Sequence, residues 1–60
     1  MYTLSIKTDN AAFEDDPGYE IARILRQVAD RVECGEEGDI ILRDVNGNRV
    51  GMAGFKVEDK

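Results

Sequence analysis

Apolar residues along this chain change period twice. Between residues 2 and 9 they alternate. Tyr2, Leu4, Ile6 and Thr8 share one parity, and Thr3, Ser5, Lys7 and Asp9 the other. Period two among β-formers predicts a half-buried strand with Leu4 and Ile6 turned inward. Between residues 17 and 33 the spacing lengthens, and Ile21, Leu25, Val28 and Val32 recur at four, three and four. Only a helix puts those positions on one side. Ala22, Ile24 and Ala29 widen the stripe, while Arg23, Arg26, Gln27, Asp30 and Arg31 form the polar remainder. From residue 39 alternation returns. Ile40 and Leu42 share a face, Ile41 and Arg43 take the other, and a further alternating run begins at Arg49.

The helix boundaries are written in side-chain chemistry. Asp16 suits the N-cap, where its carboxylate accepts free first-turn amides. Pro17 fits the first helical position, which needs no donor. Glu20 places negative charge at the positive end of the helix dipole. Gly35 stops the helix in a left-handed conformation, which leaves Cys34 in the last turn as an expected buried thiol.

The third turn is Val45-Asn46-Gly47. A three-residue loop with Gly47 at positive φ pairs Leu42 with Val50 and Ile40 with Met52, all facing the helix. Arg49 then falls near Asp44 as a surface ion pair. Beyond Met52 the parity switches, through a bulge at Ala53-Gly54 or a tail turned outward. Without a bulge, Ile41, Ala53, Phe55 and Val57 form a second apolar face, which one helix cannot cover. Residues 58–60 are expected to fray.

The predicted fold is a single α+β domain spanning residues 1–60, with two layers in the order β-α-β-β. One helix packs on a three-stranded sheet that ends in an antiparallel hairpin. If the first two strands are neighbours, the helix between them makes them parallel. Sixty residues bury only about 60% of their unfolded surface, so a second subunit or a host protein would thicken the thin core.

Charge narrows the function classes. Thirteen acidic against eight basic residues give a formal charge of −5. A phosphate backbone asks for a basic stripe, so direct nucleic-acid binding is disfavoured and a protein with a basic surface is the expected partner. No apolar run approaches membrane-spanning length, no leader pattern is recognisable, and the one cysteine excludes an internal disulfide. A reducing cytoplasm is the expected location.

No catalytic chemistry stands out. The chain has no histidine, so neither a serine nor Cys34 has an imidazole base, and no enzyme activity, cofactor or metal is expected. Asp44-Val45-Asn46-Gly47-Asn48 imitates the start of a calcium loop. Arg49 then replaces the required glycine and Phe55 the bidentate glutamate. The glycines follow no phosphate-loop spacing.

Several runs carry a family resemblance: 9–15 (Asp-Asn-Ala-Ala-Phe-Glu-Asp), Ile24-Leu25-Arg26 to Ala29-Asp30-Arg31, and Leu42-Arg43-Asp44 to Asn46-Gly47-Asn48. They resemble small acidic proteins carried by phages, plasmids and other mobile elements. The likeness covers most of the chain and is one of general similarity, so no functional residue is carried over from it. Some such proteins inhibit host defence, CRISPR surveillance complexes included, by occupying basic nucleic-acid-binding surfaces. The resemblance therefore implies an inhibitory protein-binding module of the anti-CRISPR kind.

The candidate partner surface is Phe13, Glu14, Asp15, Asp16 and Tyr19, joined by Glu36 and Glu37 if the two helix ends converge on the partner. Phe13 has a competing structural role, folding back over the open end of the core. The alternative function is a structural or regulatory oligomerisation protein, a homodimer for instance. It would use Ile41, Ala53, Phe55 and Val57 or an exposed sheet edge.

Overall fold

The computed structural model describes residues 1–57, so the expectation for 58–60 lies outside the described residues. Strand β1 is Tyr2–Ile6, followed by a 3₁₀ turn at Ala11–Phe13. Helix α1 is Pro17–Glu33, and strands β2 and β3 are Ile40–Arg43 and Arg49–Phe55. The α+β arrangement, one helix on a three-stranded sheet with a terminal hairpin, is the one the hydrophobic pattern predicts.

Helix α1 begins and ends as its sequence dictates. The Asp16 side chain accepts the Tyr19 amide at 3.1 Å, and Pro17 opens the first turn. At the other end Gly35 has φ +97°. The Gly35 amide donates to the Val32 carbonyl and the Glu36 amide to the Arg31 carbonyl, the paired bonds of a Schellman stop. Cys34, expected to be buried, is exposed. It is the C-cap of the helix, its amide donating to the Asp30 carbonyl at 3.0 Å.

The sheet order is β1-β3-β2, antiparallel throughout. The first two strands are not neighbours, because the last strand inserts between them, so the conditional parallel pair does not form. The turn at Asp44 to Asn48 is the three-residue loop expected. The Gly47 amide donates to the Asp44 carbonyl, the Asp44 amide to the Asn48 carbonyl, and Gly47 has φ +87°.

The register beyond that turn differs from the expected one. Arg43 lies opposite Arg49, but Leu42 pairs with Gly51 and Ile40 with Ala53, with the shift between Leu42 and Arg43. Val50 is thus an extra residue in β3. The bulge falls there and not at Ala53-Gly54. It resolves the parity problem, since Val50 and Ala53, three residues apart, both face the helix and are both buried. Glycine is required at position 51 because a Cβ there would run into the Ser5 carbonyl of β1 and lie 3.1 Å from the Ile6 Cα.

The core is Phe13, Ile24, Val28, Ile40, Leu42, Val50 and Ala53, with Leu4, Ile6, Ala12 and Ile21 packed against it. The buried face of α1 runs through Glu20, Ile24 and Val28, which rotates it away from the predicted stripe. Leu25 and Val32 are 44% and 39% exposed. On one flank of this face the Arg23 guanidinium reaches the Arg43 carbonyl of β2 at 3.2 Å. On the other flank Ile21 packs against the core, while Val32 lies beside Phe55 of β3.

Candidate functional site

The predicted partner residues separate into three environments. Phe13 is buried in the core, held by a turn in which the Asn10 side chain accepts the Ala12 amide at 3.0 Å. Its ring closes the end of the core and cannot serve as a partner anchor. Glu14, Asp15, Asp16 and Tyr19 are exposed at the N-terminal end of α1, where Asp16 is occupied by its capping bond. Glu36 and Glu37 are exposed beyond the C-terminal end. The helix between the two groups is about 25 Å long, so they are separate patches.

The four residues proposed as a second apolar face do not share one. Ala53 is in the core, while Ile41 is half-buried on the outer face opposite Met52. Val57 is 94% exposed beyond the strand. Phe55 has the parity of Ala53 but is 66% exposed.

Phe55 instead builds a different site. It lies opposite Tyr2 in the β1–β3 register, and the two rings meet edge to face at a centroid distance of 4.9 Å. Such a pair contributes about 0.5–1.5 kcal/mol beyond its area and fixes both rings. Phe55 also lines an open groove with Val32, Gly35, Glu36 and Glu37. The structure therefore brings Glu36 and Glu37 together with Phe55 and Val32, and not with Phe13 and Tyr19.

The groove's electrostatics are set by one internal pair. The Arg31 guanidinium donates to both Glu36 carboxylate oxygens at 2.7 Å, which holds the Glu36 carboxyl below its usual value. Glu37 makes no ion pair or hydrogen bond among the described residues. Its charge is available to a partner. Tyr2 and Val32 were not singled out by sequence reasoning. Only the β1–β3 register, which puts Tyr2 beside Phe55, reveals the aromatic pair.

A second polar cluster is structural. Arg23 donates to both Glu20 oxygens at 2.8 Å, and the Val45 amide donates to Glu20 Oε2 at 2.8 Å. Asp44 is 5% exposed. It accepts the Asn46 and Asn48 amides at 2.9 Å and the side chains of Asn10 and Asn48 at 2.8 and 3.2 Å. The expected Asp44–Arg49 surface pair is not made. Arg43 reaches the turn, donating to the Gly47 carbonyl at 3.1 Å. Asp44 fixes the hairpin by receiving amides, which is what the loop's calcium-like spacing of oxygens serves.

Comparison with protein-family models, with curated proteins and with solved structures finds no match. Among the described residues no helix is long and apolar enough to cross a membrane.

Proposed function

We propose that this chain is a non-enzymatic protein-binding module that docks on a basic protein surface. The supporting observation is the groove at the C-terminal end of α1. Phe55, braced by Tyr2, stands beside Val32, and Glu37 supplies an uncompensated negative charge at the rim. Rigid aromatic anchors supply affinity, and rim charges set the encounter rate and the choice of partner. The net charge of −5 adds long-range attraction to a basic target.

The resemblance to mobile-element proteins names the partner class: a nucleic-acid-binding host defence complex in the cytoplasm, CRISPR effectors among them, inhibited by occlusion of its basic surface. The test is inhibition of such an effector's target binding by wild type, by Phe55→Ser with Glu37→Lys, and by Glu14→Lys with Asp15→Lys. Loss of inhibition in the groove variant alone supports the reading. Equal inhibition by wild type and groove variant refutes the groove as the docking surface.

A further inference from the structure

Beyond that reading, we propose that β1 is a self-pairing edge, and that two copies join through antiparallel β1–β1 contact into one six-stranded sheet. The inference begins with which backbone groups β3 leaves unused. The Lys7 amide donates to the Val50 carbonyl, and the Lys56 amide to the Met1 carbonyl, both at 2.7 Å. Antiparallel partners alternate between bonded and non-bonded pairs. With Lys7 opposite Val50, the non-bonded pairs are Ile6–Gly51, Leu4–Ala53 and Tyr2–Phe55. The amides and carbonyls of Tyr2, Leu4 and Ile6 therefore point away from β3, along the free edge.

The two edges of the sheet are treated differently. On β2 the Arg23 guanidinium covers the Arg43 carbonyl, and charged Asp39 and Arg43 border a strand of four residues. Those are the usual protections against strand addition. Strand β1 has five residues, Tyr-Thr-Leu-Ser-Ile, without charge, proline or bulge. Tyr2 is 37% exposed, and Leu4 and Ile6 are half-buried.

An added strand must place apolar side chains on the helix side, beside Leu4 and Ile6 where they pack against the core, and polar ones opposite. It must also carry no acid, or it would add to the charge of a chain already at −5. A second copy of β1 meets each requirement. Tyr2, Leu4 and Ile6 supply the apolar parity, Thr3 and Ser5 the polar one, and the nearest acid is Asp9, outside the strand. A two-fold axis through Leu4 sets Leu4 opposite its own copy, Tyr2 opposite Ile6, and Thr3 opposite Ser5. That register uses every outward group of the three residues, about six backbone hydrogen bonds. Both helices then lie on the same face.

The test measures mass by light scattering in reducing buffer, since Cys34 is exposed, on wild type and two charged variants. Thr3→Lys with Ser5→Lys puts lysines opposite each other across the two-fold, on the face away from the core. Thr3→Glu with Ser5→Glu does the same with carboxylates. Wild type should show twice the chain mass. Each variant alone should be monomeric with an unchanged circular dichroism spectrum, and an equimolar mixture of the two should recover the doubled mass. A monomeric wild type, a dimer undiminished in either variant, or a mixture that stays monomeric would overturn the proposal.

Discussion

The Glu20 carboxylate accepts the Val45 amide at 2.8 Å across 25 residues of chain. With the Arg23 fork on both oxygens of the same carboxylate, this bond seats the first turn of α1 against the β2–β3 hairpin. Glu20→Gln keeps the shape and removes the charge. The Val45 amide and Arg23 guanidinium are then poorly matched, at a cost of about 1–3 kcal/mol. Melting followed by circular dichroism should fall by roughly 4–8 °C for each kcal/mol. The exposed Glu33→Gln should stay within about 0.5 kcal/mol of wild type. Equal melting of the two variants would remove Glu20 from the account of how helix and hairpin are joined.

Stability should fall in acid. Hydrogen bonding by Arg23 holds the Glu20 carboxyl below its ordinary value, against the opposing effect of burial. For Asp44, burial pushes upward, but the bonds from Asn48, Asn46 and Asn10 together outweigh it and hold the carboxyl low. A carboxyl with a depressed folded-state pKa stabilises the fold above the ordinary carboxylate range, near pH 4 by order of magnitude. That stabilisation is lost as pH falls through the range toward the lower folded value. Melting temperatures should be flat near neutrality and drop below about pH 4, with a shallower drop in Glu20→Gln. A wild-type profile flat down to pH 2 would contradict the bonding assigned to both carboxylates.

Gly51, Gly54 and Gly38 should rank in that order of sensitivity to alanine. A methyl group at Gly51 meets the backbone of β1, which cannot yield without loosening the β1–β3 pair. At Gly54 the clash is with the Asp39 carboxylate, a side chain able to rotate away, while the Asp39 Cα lies at an ordinary contact distance of 3.5 Å, and at Gly38 the methyl group meets nothing within 4 Å. Gly51→Ala should cost about 1–3 kcal/mol, the range of overpacking, while Gly38→Ala should be near neutral. Urea denaturation curves of the three variants decide the ranking.

Two aromatics near the start of α1 should behave oppositely. Phe13 is 3% exposed and Tyr19 is 69% exposed. Phe13→Ala should cost about 3–5 kcal/mol, enough to unfold much of so small a domain. Tyr19→Ala should leave the melting transition almost unmoved. Similar losses in the two variants would mean that Phe13 does not close the core.

Most of the fold was legible because its punctuation is local. Asp16, Pro17 and Gly35 mark the ends of α1 by capping chemistry alone, and Asn46-Gly47 fixes the hairpin turn. The register of β3 was not legible, because the extra residue Val50 answers a long-range fact, the approach of β1 to Gly51. The burial of Glu20 and Asp44 was hidden for a related reason. Charge predicts exposure unless the partner groups are known, and here they are supplied by Arg23, the Val45 amide and the turn. Of the candidate site, Phe55, Glu36 and Glu37 were marked in advance. Their juxtaposition with Val32 and Tyr2 needed the strand order.

That strand order also governs when the chain can fold as a ribosome makes it. The central strand is translated last, so neither β1 nor β2 finds its neighbour until residues 49–55 have emerged. Until then the helix has no completed sheet to cover, and the uncharged first strand waits without the pairing that closes one of its sides. Assembly of this domain thus waits for its last strand, and a nascent chain halted before Arg49 should remain unstructured and open to proteolysis.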